Sequence, residues 1–278
     1  MTYARWVWTM SPHLTPRLVP VWRTSVFNLD PSMRLRRIIT VKVCMKLVIG
    51  NKNYSSWSMR PWVLMRELGL VFEEVNLRFD SFDADSQFKQ SLDQLGVAGK
   101  VPVLIDPNVI IAGKPLAVWD TLAIIERLAE CFPDRGIWPR DESQRAIARS
   151  IVAEIHSGFN ALRSLCPMNI EADLQDVGVD LYAKHARLRD DLARIESIWA
   201  QNLANSKGPM LFGAFSAVDA YFAPTIMRIQ SYGLPINATS RAYANRILAL
   251  KSVQQWMADA IGEDDFLSFE EPYRSRDT

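Results

Sequence analysis

Three serines stand together in the segment Tyr54-Ser55-Ser56-Trp57-Ser58-Met59-Arg60-Pro61-Trp62, where a short apolar run gives way to a helical pattern. The first main-chain N–H groups of a helix have no intrahelical acceptor and point outward, and the helix dipole favours negative charge at that end. Serine hydroxyls beside such groups suit the stabilisation of an anion, for example a thiolate, whose ionisation is what makes sulfur a nucleophile. The same residue types equally suit an ordinary turn and helix cap, with Ser58 as one candidate cap.

Two other places carry similar possibilities. Asp120-Thr121 opens an apolar-periodic helix through Leu122, Ile125 and Leu128. A hydroxyl and free N–H groups there suit a carboxylate, and the Asp120 carboxylate suits an ammonium; a plain N-cap is compatible with both roles. Val101-Pro102 opens a strand, either as a trans proline at an edge or as a cis proline that turns the preceding N–H and C=O outward. Metal and disulfide chemistry find no support. His13, His156 and His185 do not pair at ligand spacing, and Cys44, Cys131 and Cys166 are far apart with no CxxC.

The elements that must position these residues fall into two differently patterned halves. Met45 to Gly50, Val71 to Leu77, Val101 to Ile105 and Val109 to Ile111 read as strands, the last pair joined by a tight Asp106-Pro107-Asn108 turn. Residues 57–69, 84–95 and 120–131 read as helices, so the order over 45–132 is β-α-β-α-β-β-α, an α/β layer. After a linker over 133–138 the strands stop. Ile147, Ile151, Ile155, Phe159 and Leu162 recur at helical spacing, as do Leu188, Leu192, Ile195, Trp199 and Leu203. Ser216 to Gln230 and Arg241 to Ala260 complete an all-α half over 139–272, followed by a polar tail at 273–278. Ser216-x-x-Asp219 has the form of a capping box, worth about 1 kcal/mol to folding. Trp138, Trp199 and Trp256 read as core residues.

Composition agrees with a folded chain of about two domains. Of 278 residues 49% are hydrophobic and 23% charged, which excludes a disordered protein. The net charge of +1 gives no nucleic-acid footprint, and no apolar run reaches the ~20 residues that cross a bilayer. Residues 1–44 differ from the rest. They hold seven basic residues, one acid and prolines at 12, 16, 20 and 31. This stretch reads as a disordered basic extension, either an Arg-rich presequence or a segment upstream of a true start at Met45; the second is favoured.

The small α/β half joined to an all-helical half resembles the glutathione transferase superfamily. The motifs sharpen the likeness. The Tyr54–Trp62 segment resembles the serine-type active site of the zeta and related bacterial classes, Val101-Pro102 resembles the family's cis-proline strand start, and Asp120-Thr121 resembles its acid-plus-hydroxyl pair. Trp57 departs from the zeta pattern, which often has cysteine there. The resemblance implies a thioredoxin-like α/β N-terminal domain followed by an all-α helical-bundle domain. It implies glutathione as co-substrate, no metal, a cytoplasmic homodimer, and no nucleic-acid or membrane partner.

By that resemblance Ser55 and Ser56 are the catalytic candidates, Ser55 the better placed. Trp57, Lys100, Val101, Pro102, Asp120 and Thr121 bind glutathione. Pro102 grips the cysteinyl part, Lys100 meets the glycine carboxylate, and Asp120-Thr121 meets the γ-glutamyl group. Phe159, Arg163, Met168 and Asn169 line a pocket for the electrophile, while His156 and Phe159 divide evenly between pocket and core. The activity implied is conjugation of the glutathione thiolate to small, mostly apolar electrophiles, a detoxification reaction. The alternatives are a glutathione-dependent isomerase or dehalogenase, and a non-catalytic binding or scaffold protein of the same fold.

Overall fold

Leu47, Val48 and Ile49 are at most 2% exposed, as expected of a strand covered on both faces. In the computed structural model, which describes residues 44–97 and 99–276, they form the centre of a four-stranded mixed sheet. Strand β1 (Met45–Ile49) pairs parallel with β2 (Phe72–Asn76) and antiparallel with β3 (Val103–Ile111), and β3 pairs antiparallel with β4 (Lys114–Trp119). The sheet order is β2-β1-β3-β4. Helix α1 (Ser56–Glu67) makes the crossover from β1 to β2, α2 (Gln87–Gln94) leads to β3, and α3 (Thr121–Cys131) follows β4. This is the expected thioredoxin-like order. Residues 1–43, where the extension was read, lie outside the described residues.

The last two strands differ from expectation. Asp106-Pro107-Asn108 is not a hairpin turn but an irregularity inside β3. The Asp106 carboxylate accepts from the Asn108 N–H and pairs with Arg127 at 2.9 Å, so the polar residues are satisfied locally while the strand runs on. The chain turns instead at Ala112 and Gly113, both at positive φ, the backbone a two-residue hairpin requires.

The second half is helical throughout: α4 (Glu142–Ser157), α5 (Asn160–Leu165), α6 (Gln175–Lys184), α7 (Ala186–Asn205), α8 (Ala217–Ser231), α9 (Ala238–Leu248) and α10 (Lys251–Gly262). Two expectations are corrected, and one helix, α6, had no reading in the sequence. The face running from Ile147 to Leu162 is two helices, because Gly158 and Phe159 break it; Phe159 sits at φ 54°, and Ile147 is half-exposed. Helix α6 carried no clear apolar period. The stretch 241–260 breaks at Ala249-Leu250 into α9 and α10.

Helix α8 is the axis of this half, buried at nearly every residue, which is what a helix apolar all round must be. The Asp219 carboxylate accepts from the Ser216 N–H and hydroxyl, the Leu211 N–H and the Tyr243 hydroxyl. Helix α1 packs against both α3 and α8, so the two halves share one core. Trp199 and Trp256 are fully buried and Trp138 nearly so. The linker belongs to that core as well: Ile137 and Trp138 are buried, and the Ala217 N–H donates to the Ile137 carbonyl.

The start of the expected polar tail is tied to the core through Tyr273 and Arg274, and residues 277–278 lie outside the described residues. Glu263 accepts from the Lys52 N–H and from Asn76, Glu271 accepts from Tyr54 and Asn169, and Arg274 forks onto Glu271. Tyr273 donates to the Leu165 carbonyl. These bonds run to both halves and clamp the loop Asn51–Tyr54, which is buried at every residue. Asn53 Oδ1 adds to the clamp by accepting the Ile170 and Glu171 N–H groups. The loop that delivers Ser55 to α1 is therefore held from three sides.

Candidate functional site

A cavity of about 610 Å³ opens beside that loop. One wall is the α/β half: Tyr54, Ser55, Ser56 and Trp57 at the head of α1, Lys100 and Val101 leading into β3, and the aromatic side chains of Phe79, Phe82 and Phe88 around α2. The other wall is helical, with Asn160, Arg163 and Ser164 of α5, Pro167 and Met168 beyond it, Arg228 of α8, and Glu270 from the C-terminal segment.

Ser55 is the N-cap residue of α1 and Ser56 its first residue, and both line the cavity though little exposed. The Ser55 side chain makes no capping bond; its Oγ lies 2.7 Å from Ser58 Oγ. Ser58 is not a cap either. It is wholly buried and accepts the Gly50 N–H at 3.2 Å. Tyr54 lines the cavity, but its hydroxyl is committed to Glu271 at 2.7 Å, and burial together with that carboxylate pushes its pKa up to about 12. It is thereby unsuited to stabilising an anion in the cavity.

The Val101–Pro102 peptide is cis, and Val101 lines the cavity. Lys100 is exposed at the rim. Asp120 and Thr121 lie off the main cavity, at the N-terminus of α3. Asp120 Oδ1 accepts the Leu122 N–H, and Oδ2 lies 3.4 Å from His156 Nε2 of α4. The Thr121 hydroxyl is corrected: it is fully buried and accepts from Tyr221 at 2.7 Å. The core claims it, so Thr121 has only its main chain to offer a ligand.

Trp57 links the two places. Its ring meets His156 edge-on at 4.9 Å, with the Arg60 guanidinium at 4.1 Å and that of Arg163 at 4.9 Å from its centroid. Burial, together with the Arg60 and Arg163 charges and against the opposing pull of Asp120, lowers the His156 pKa below the ordinary histidine range. Burial also pulls Arg60 down to about 9 and Arg228 to about 10, and Arg163 adds to both shifts. All three guanidinium groups stay charged near neutral pH.

Of the four residues read as the electrophile pocket, the structure brings Arg163 and Met168 to the cavity. Phe159 is corrected: it is buried in the core at the break before α5 and does not line this cavity. Asn169 is corrected too. Its side chain is spent on Glu271 and the Ala172 N–H, and its carbonyl accepts from Ser231. Sequence reasoning missed Arg228, Glu270 and the phenylalanines. Arg228 is hidden in an apolar helix, Glu270, Phe79 and Phe82 come from segments with no periodic signal, and Phe88 sits in α2, a helix read as polar. Among the described residues no cysteine lines the cavity; Cys166 is buried, which pushes its thiol up to about 12. Among the described residues no group of three His, Cys, Asp or Glu side chains could hold a metal, and no helix is long and apolar enough to cross a membrane.

A thioredoxin-like domain with a cis proline at the site, followed by a helical domain that walls the same cavity, is the glutathione transferase fold. Residues 54–131 match the family model described as the glutathione S-transferase N-terminal domain. A solved glutathione transferase homolog from Burkholderia, with bound glutathione, superposes with a TM-score of 0.57 at 22% identity, over 78% of this chain and 98% of that one. Among curated relatives, a Caenorhabditis elegans protein described as "Probable maleylacetoacetate isomerase" is 32% identical over 40% of this chain, and the match spans about half of that relative, 49%. Glutathione S-transferase 1 of Dianthus caryophyllus is 27% identical over 68% of this chain and 80% of its own length.

Proposed function

We propose that this protein binds glutathione and adds its thiolate to small electrophiles, with Ser55 holding the sulfur anion. The observation that carries this reading is the position of Ser55: at the head of α1, in the cavity wall, in the same cavity as Val101 of the cis Val101–Pro102 peptide. A free thiol with a pKa near ~8.5 is only a few per cent ionised at neutral pH. Lowering it by ~2 units takes about 2.7 kcal/mol of preferential thiolate binding. A hydroxyl donor and a helix N-terminus supply that kind of stabilisation. Ser56 is a second donor to the same anion.

In this reading the cysteinyl main chain lies along Val101, with Pro102 shaping the strand. The γ-glutamyl carboxylate meets the N–H groups at the start of α3, its ammonium meets Asp120, and the glycine carboxylate meets Lys100. Trp57 packs beside the tripeptide. The bound glutathione of the Burkholderia homolog and the family match of residues 54–131 support the choice of ligand. The name of the Caenorhabditis elegans relative favours a second reading, glutathione-dependent isomerisation through the same thiolate. A cytoplasmic homodimer acting in detoxification completes the proposal.

The test is a titration of bound glutathione by its thiolate absorbance near the ultraviolet edge. The expected result is a depressed thiol pKa that Ser55→Ala largely restores. Retained binding with an unshifted pKa indicates a scaffold protein, and failure to bind glutathione discards the enzyme readings.

A further inference from the structure

Three guanidinium groups at this site lack a carboxylate in ion-pair range among the described residues: those of Arg60, Arg163 and Arg228. Elsewhere the pattern differs. Arg127, Arg149, Arg194 and Arg274 each hold a carboxylate at 2.6–2.9 Å. Arg228 is the sharpest case. It lines the cavity while only 6% exposed. Its Nε donates to the Cys166 carbonyl at 2.9 Å and its Nη1 to the Pro224 carbonyl at 3.2 Å. Those two bonds fix the plane of the guanidinium and leave Nη2 without a hydrogen-bond partner among the described residues. Burying a charge without a counter-charge is costly, and a fixed fork with a free donor is the geometry that receives a carboxylate.

Arg163 faces the same cavity from α5, its Nη1 spent on the His156 and Gly158 carbonyls. The one carboxylate in the cavity wall among the described residues is Glu270; it interacts electrostatically with Arg228 but pairs with neither arginine within ion-pair distance. The wall opposite these cations carries the aromatic rings of Phe79, Phe82 and Phe88, and Met168 adds apolar surface on the helical side. In the proposed binding mode the two glutathione carboxylates lie at α3 and Lys100, on the α/β side, and neither is assigned to Arg228.

We propose that the acceptor bound on the helical side of this cavity carries a carboxylate, held by Arg228 and Arg163, on an apolar or aromatic body that rests against the phenylalanines. This rests on the glutathione-conjugation reading and narrows it from small apolar electrophiles to acidic ones.

A matched pair of aryl chlorides tests it with the full chain: 4-chloro-3-nitrobenzoate and its methyl ester. In both, the glutathione sulfur bonds to the ring carbon and chloride leaves with the C–Cl electron pair, the thiol proton having gone to solvent. Each kcat/KM is divided by the rate with free glutathione, which removes the difference in intrinsic reactivity. The acid is expected to be favoured about tenfold or more. Arg163→Gln and Arg228→Lys should each lower that ratio, chiefly by raising KM for the acid. An ester preferred or equal to the acid, or a ratio unmoved in both variants, overturns the proposal. Calorimetry with unreactive 3-nitrobenzoate and its methyl ester separates the two readings. If neither chloride turns over, conjugation fails, and acid binding that Arg163→Gln weakens still upholds the anion site. Absent or ester-like binding of the acid sinks it.

Discussion

The hydroxyl oxygens of Ser55 and Ser58 lie 2.7 Å apart, with Ser58 wholly buried behind Ser55. A hydroxyl pair can share its hydrogen bond from either side. Ser58 already accepts the Gly50 N–H, and among the described residues its own proton has one acceptor in reach, Ser55 Oγ. As the two are placed the Ser55 hydroxyl donates to Ser58 Oγ; in the proposed reading a thiolate in the cavity draws the Ser55 proton to itself, and Ser58 then donates to Ser55 so that its own buried proton stays paired. In that reading Ser58 is a positioning residue, separated from the bound sulfur by the serine it orients.

Ser55→Ala is therefore expected to cost about a hundredfold in kcat/KM, the scale of losing one anion-stabilising donor. Ser58→Ala should cost about tenfold and raise the thiol pKa of bound glutathione part of the way towards the Ser55→Ala value. Ser58→Thr, which keeps the hydroxyl, should recover part of the loss. A Ser58→Ala protein with the wild-type thiol pKa would remove Ser58 from the site.

His156 joins the helical half to the candidate γ-glutamyl site. The groups that face it are Asp120, Trp57, Arg60 and Arg163. Its pKa lies below the ordinary ~6.5, so the ring is neutral at pH 7 and gains charge as pH falls beneath that range. The imidazolium then competes with the glutathione ammonium for Asp120. KM for glutathione should rise at low pH in the wild type and rise less steeply in His156→Gln, read from initial rates across a pH series. Parallel profiles for the two proteins would count against this coupling.

Asp219 supplies a stability signature. Burial pushes its pKa to about 6 despite four donors, above the ~3.9 of an unfolded aspartate. The folded state therefore binds more protons at this group between those values, so the contribution of Asp219 to stability is full below about pH 4 and is lost as pH rises through about 6. Asp219→Asn should flatten that part of a denaturant-midpoint profile. It should also lower the midpoint, since each orphaned buried donor costs about 1–3 kcal/mol. An unchanged slope in the variant would show that another group sets it.

Much of the α/β half was legible because its signals are local. Leu47-Val48-Ile49 is a run that only a covered strand uses, and Gly69 marks a helix end. The resemblance added the cis state of Pro102, which no local pattern fixes. Where local signals compete, reading failed. Asp106-Pro107-Asn108 has turn chemistry, yet pairing with β4 and the bond to Arg127 keep β3 running through it. Phe159 kept the apolar spacing of a helix that Gly158 had already ended, because periodicity does not register a backbone break.

Serines at the start of a helix, an acid at the start of another and a proline at a strand start are statements about neighbours in the chain, and the sequence alone could make them. It could not say that Thr121 is claimed by Tyr221, that Glu271 ties down Tyr54, or that Arg228 opens into the cavity from inside α8. Each depends on partners about a hundred residues or more away, or on which side of a fully buried helix meets a void. Only the packing of the two halves against each other decides that, because burial and charge pairing are properties of the assembled core.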